Sequence, residues 1–95
     1  MLHTISRSPF YCDFPAILRL ISTGDDVLLL EDGVLSGVKG SNILQELLSA
    51  RITLYILKED LVARGLLIYI SSKVQVISYD EFIKLRIKNL QQIAW

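Results

Sequence analysis

Gly24-Asp25-Asp26-Val27-Leu28-Leu29-Leu30-Glu31-Asp32-Gly33-Val34 is the stretch on which the fold turns. Val27 to Leu30 is an unbroken apolar run between charged pairs, and it stops at Asp32-Gly33. So short a run, bounded by turn residues, suits a strand buried on both faces, as in a parallel sheet. Such a strand needs helices above and below it, which implies α/β layering for the whole chain. Glu31 and Asp32 then fall at the strand's exit, the edge at which open α/β sheets usually hold ligands.

Working outward, three more β-like runs appear: Leu2 to Ile5, Ile52 to Leu57 and Val74 to Ile77. Ile52 to Leu57 is rich in β-branched and aromatic residues and reads as a central strand. A helix-like segment follows each run. The first is capped by Asp13, carries Pro15 in its first turn, and places Phe14, Ile17, Leu18 and Ile21 at helical spacing. Gly24 supplies its left-handed stop. The second carries Ile43, Leu44, Leu47 and Leu48 as a stripe, and Asp60 to Arg64 forms a short third helix closed by Gly65. Ser78 and Glu81 make a capping box for the fourth, with Phe82, Ile83, Ile87 and Leu90 as its expected buried face. Gly33 to Asn42, with three glycines, is the longest flexible stretch, with room for a short helical turn at Val34 and Leu35. The order β-α-β-α-β-α-β-α, with right-handed crossovers, predicts an open, mainly parallel four-stranded sheet inside a three-layer α/β/α domain.

Ninety-five residues make one domain spanning residues 1–95, of which 52% are apolar, and the mean hydropathy is +0.44. A domain of this size cannot bury that much apolar side chain alone, so the surplus is expected on partner surfaces. Ten basic and ten acidic residues cancel, which disfavours direct nucleic-acid binding, a process driven by clustered Lys and Arg. No apolar run reaches the length of a membrane span. The N-terminus lacks signal-peptide features and a lone cysteine forms no internal disulfide, so the cytoplasm is the expected compartment.

The chemistry on offer is sparse. Cys12 lies just before a helix N-terminus, with Arg7 on the same loop, a setting that lowers a thiol pKa. Read functionally, it is a persulfide-carrying thiol; read structurally, it is a small loop residue beside Asp13, whose charge opposes thiolate formation. His3, the single histidine, stands alone and is expected to be a packed, hydrogen-bonded residue; a metal site needs clustered ligands, so none is expected. Asp25-Asp26 and Glu31-Asp32 loosely suggest a phosphorylated receiver, with Asp32 as acceptor. Ser6-Arg7-Ser8-Pro9 and Lys58-Glu59-Asp60 occupy the places where a receiver keeps its acids, and turn formation explains the pairs more simply. Hydrolase elbows and glycine-rich phosphate loops are lacking, and no cofactor is expected. Leu67, Ile68 and Tyr69 form an apolar connection that is either folded under the sheet or pressed against another chain. Arg86 falls near the apolar side of its helix and either snorkels or meets an acidic group on a partner. With Trp95, these are the candidate subunit-contact residues.

Leu2-His3-Thr4, Arg7-Ser8-Pro9, Gly24-Asp25, Leu28-Leu29-Leu30, Asp32-Gly33-Val34, Glu59-Asp60-Leu61, Ala63-Arg64-Gly65-Leu66, Gln91-Gln92 and Ala94-Trp95 occur in order and at fitting spacing. Together they resemble the TusB/DsrH family of sulfur-relay subunits almost end to end. The resemblance implies a DsrEFH-like fold and a cytoplasmic heterohexamer with TusC and TusD, two copies of each. It further implies that this complex takes persulfide sulfur from TusA and passes it to TusE, for 2-thiolation of the tRNA wobble uridine. In that family the sulfur-carrying cysteine belongs to TusD. The DsrH branch has a cysteine near the places of Ala16 and Ile17, out of register with Cys12. The resemblance therefore implies a non-catalytic subunit; the alternative is a sulfurtransferase subunit using Cys12.

Overall fold

The computed structural model describes all residues, 1–95. The strands are β1 (Leu2–Ile5), β2 (Asp26–Leu29), β3 (Thr53–Leu57), β4 (Gln75–Ile77) and β5 (Gln92–Ala94). The helices are α1 (Phe14–Leu20), α2 (Asn42–Ser49), α3 (Lys58–Ala63) and α4 (Tyr79–Lys88). The strands form one parallel sheet in the order β4-β3-β2-β1-β5.

That order accounts for the layering. From β1 to β4 each step moves the same way across the sheet, so right-handed crossovers put α1, α2 and α3 on one face. The return from β4 to β5 runs the opposite way and puts α4 on the other. The two cores agree. Ile5, Val27, Leu29, Leu54 and Ile56 pack with Phe14, Ile17, Leu44, Leu47 and Leu61. Leu2, Leu28, Leu57 and Ile77 pack with Phe82 and Leu85 of α4 alone. β2 sits in the middle and is buried along its whole length, as the Val27–Leu30 run predicts. β3 is interior but one place off centre.

The sheet has five strands rather than the expected four. β5 has no apolar run to announce it. Main-chain pairing with β1 recruits it: Leu2 N–H donates to the Gln91 carbonyl at 2.9 Å and Trp95 N–H to the Thr4 carbonyl at 2.8 Å. Building β5 also ends α4 early. Its buried face is Phe82 and Leu85, whereas Ile83 is half-buried and Ile87 and Leu90 are 76% and 99% exposed. The helical stripe expected through Leu90 breaks because Asn89 leaves the helix, its side chain donating to Asp26 and to the Leu85 carbonyl at 3.0 Å each.

Caps and turns follow the sequence closely. Asp13 Oδ1 accepts from Ala16 N–H at 3.1 Å, and Ser78 and Glu81 close their reciprocal box at 3.1 and 3.2 Å. Gly65 holds the positive φ that ends α3, whereas α1 ends before its expected stop: the extended Ile21 caps it, and Gly24, also at positive φ, shapes the turn into β2 instead. The expected turn near Val34 is a 3-10 segment, Glu31–Gly37, pressed against the carboxyl ends of the strands. There Gly33 is obligatory: a Cβ would overlap the Ile5 carbonyl oxygen and lie 2.8 Å from the Ile5 carbonyl carbon.

Candidate functional site

At the carboxyl ends of β1 and β5 the loop Ser6–Asp13 borders a depression of about 280 Å³ lined by Arg7, Tyr11, Cys12, Asp13, Ile17, Ala94 and Trp95. A turn builds the loop: Tyr11 N–H donates to the Ser8 carbonyl at 2.9 Å, and Phe10 N–H to Ser8 Oγ at 3.3 Å. Phe10 and Tyr11 consequently project outward, 87% and 80% exposed, just ahead of Cys12 in the chain. A proline followed by two aromatics between a strand and a helix cap was the signal in the sequence for this projection.

Cys12 is half-buried and its Sγ–H donates to the Arg7 carbonyl at 3.8 Å. Partial burial pushes its pKa up, and the Arg7 guanidinium and a backbone hydrogen bond at Arg7 offset this only in part. The helix-start position therefore does not activate the thiol; desolvation of the sulfur wins over the short α1 dipole. Nor is a base within reach. Asp13 is engaged as the α1 cap, and His3 lies in the core.

His3 is fully buried, as a packed and hydrogen-bonded histidine should be, and its partners come from both ends of the chain. Its Nε2 lies 2.9 Å from Asp25 Oδ2, and Trp95 Nε1–H donates to its Nδ1 at 3.2 Å. An indole N–H can only donate, so Nδ1 is bare and the proton sits on Nε2, aimed at Asp25. Asp25 also accepts from Ser22 N–H at 2.9 Å and pairs with the Met1 ammonium at 3.2 Å. Burial alone would raise the Asp25 pKa, but the Ser22, His3 and ammonium hydrogen bonds outweigh it and hold the carboxyl below its ordinary value. Asp25 as the partner of His3 was not visible in the sequence, because the two are joined only by strand pairing.

The two acidic pairs flank β2 at opposite ends. Val27 to Leu30 lie between them, so about 16 Å of extended chain separates Asp26 from Glu31, and Asp25-Asp26 and Glu31-Asp32 cannot share a site. Asp32 Oδ1 is paired with Arg64 at 3.1 Å, and Asp60 accepts from Glu31 N–H at 2.6 Å. Glu31 takes a φ of 50°, so the Asp60 bond helps fix a turn that only a few residue types tolerate. These acids organise the exit of β2 and do not form a receiver centre. No group of three or more His, Cys, Asp or Glu side chains is placed to hold a metal ion.

Leu67, Ile68 and Tyr69 form a short 3-10 turn lying on the outside, with Ile68 76% exposed. Of the two placements open to this segment, folding under the sheet is ruled out. Arg86 lies with its guanidinium carbon 5.7 Å from the Phe82 ring centre, so its stem and charge cover the aromatic that anchors α4. Trp95 is half-buried against the α1 side of the sheet. The three candidates thus occupy separate places: the turn after α3, the outer side of α4, and the depression beside Cys12. No helix is long and apolar enough to cross a membrane.

Three comparisons bear on the family. Residues 7–92 match the DsrH family, described as DsrH like protein. Over the full length of both chains, the sequence is 58% identical to Protein TusB of Erwinia tasmaniensis and 50% identical to Protein TusB of Photorhabdus laumondii. The fold is similar to that of the ychN protein from E. coli, with a TM-score of 0.79 at 12% identity over 99% of this chain and 97% of that one. At that identity the structural likeness speaks for the fold alone, but full-length identity of 50% and above speaks for descent. The chain belongs to the DsrH family.

Proposed function

We propose that this chain is a non-catalytic subunit of a sulfur-relay complex serving tRNA modification. Its partners are TusC and TusD homologues, two copies of each chain in a cytoplasmic heterohexamer. TusA and TusE engage that assembly transiently to deliver and receive persulfide sulfur, which ends as the 2-thio group of the wobble uridine. Full-length similarity to proteins called TusB is the observation that carries this reading. The surface agrees with it: Phe10, Tyr11, Val62, Ile68, Ile87 and Leu90 are all more than half exposed on a chain of 95 residues. That is the apolar surplus expected of a subunit. Against sulfur carriage by Cys12 stand its raised pKa and the missing base. Co-expression with tagged TusC and TusD homologues tests the proposal. Recovery of all three chains at equal stoichiometry is expected; a stable, monodisperse monomer that escapes the tagged chains would overturn it.

A further inference from the structure

The chain has one histidine and one tryptophan, and the fold brings them together across 92 positions. His3 and Trp95 meet with ring planes 16° apart and centroids 6.4 Å apart, on a hydrogen bond that requires Nδ1 to be an acceptor. The other ring nitrogen is committed to Asp25. One proton added to this ring can go only to Nδ1, where two N–H groups would then face each other at the present separation of 3.2 Å. The ring itself has reason to stay, since an imidazolium bonds Asp25 more strongly than a neutral ring does. The indole has reason to leave.

The geometry points to a proton-operated latch: the neutral His3 ring holds the Trp95 indole, and the protonated ring releases it. Few charged groups lie around His3. From the turn before β2 comes Asp25, itself paired with the Met1 ammonium. β2 adds Asp26, whose carboxylate goes to the opposite face, to Asn89 at 3.0 Å and Lys88 at 3.7 Å. α1 carries a single charge, the exposed Arg19, and β5 carries none. Beyond the indole lie Arg7, Cys12 and Asp13 of the depression. Because Trp95 is a wall of that depression, release reshapes the ground beside Cys12. The main-chain bonds of Trp95 to Thr4 and Ser6 do not depend on the imidazole, so β5 stays paired while the side chain moves. The inference concerns this chain's own conformation and stands whether or not the sulfur-relay reading holds.

NMR of the full chain, with the isotope label confined to it, reads the latch directly. At neutral pH the ring nitrogens should report Nε2–H and a bare Nδ1, and the single indole N–H should resonate downfield as a bonded proton. On acidification the indole resonance should shift upfield with the same midpoint as the ring, and acrylamide quenching of Trp95 fluorescence should rise in step. In His3→Asn, whose side-chain oxygen can accept from the indole but does not titrate, both signals should stay flat over the same range. An Nδ1–H tautomer in the native chain overturns the proposal. So does an indole signal that stands still while the ring titrates, or a ring that stays neutral down to the pH of unfolding. Each of these three outcomes is read on the native chain and does not require the variant to fold.

Discussion

Shortening Phe82 to alanine and shortening Leu90 to alanine remove apolar side chains from the same stretch of sequence, yet the structure assigns them very different costs. Phe82 is 7% exposed and Leu90 99% exposed. Phe82 and Leu85 are the two buried side chains by which α4 holds the second face of the sheet. A buried Phe→Ala change costs about 3–5 kcal/mol, the sum of lost transfer energy and an incompletely collapsed cavity. Phe82 also meets Tyr79 edge-on at 5.9 Å and lies under Arg86, contacts worth about 0.5–1 kcal/mol each. A domain of this length has roughly 5–14 kcal/mol of stability in total, so Phe82→Ala removes a large fraction of it. Leu90→Ala should stay within about 0.5 kcal/mol. Urea titrations followed by far-UV circular dichroism measure both. With a slope of about 1–2 kcal/mol per molar, the Phe82→Ala midpoint should fall by about 1.5–5 M while that of Leu90→Ala barely moves. Equal shifts would refute the placement of α4 and restore the longer helical stripe that its sequence suggests.

Three further outcomes are expected. Asp25 has a folded pKa below its ordinary 3.8, so its stabilisation is complete above that value. It drains away as pH falls through the lowered one, because the unfolded chain takes up the proton first. Asp25→Asn should therefore flatten the acid limb of a stability–pH curve, and an unchanged limb would contradict the Asp25 hydrogen-bond network. Gly33→Ala drives a methyl group into the Ile5 backbone; expression should yield little folded chain, and a variant with native thermal stability would contradict the close approach of that turn. Cys12→Ser should leave 2-thiouridine in tRNA at the native level by mass spectrometry of nucleosides, since the thiol has a raised pKa and lacks a base. Loss of thiolation would make Cys12 a carrier.

The parts of the fold that were legible were those written in local chemistry. β2 announced itself because a strand buried on both faces must be mostly apolar, and the Asp13 cap, the Ser78–Glu81 box and the Gly65 stop are satisfied within a turn of chain; Gly24 misled, because α1 already ends at Ile21. β5 was not legible: three residues with a polar leader become a strand only because β1 offers a free edge. The same event unwinds α4 at Asn89 and exposes Leu90, so a single long-range pairing explains both departures. At the candidate site, sequence could mark Cys12 and Arg7 as neighbours but not how deeply the sulfur is desolvated, and desolvation reversed the expected direction of its pKa. His3 read correctly as a packed residue, while its ties to Asp25 and Trp95 depended on register and on the return of the chain end.

The proposed role of the exposed apolar groups is to hold other chains. Replacing Ile68, 76% exposed on the turn after α3, by aspartate tests it most directly in a pull-down with tagged TusC and TusD homologues. The circular dichroism spectrum and urea midpoint should barely change, because the side chain is mostly exposed in its own chain, while co-purification should be lost. Retained assembly in Ile68→Asp, and equally in a variant that also carries Ile87→Asp and Leu90→Asp, would contradict it.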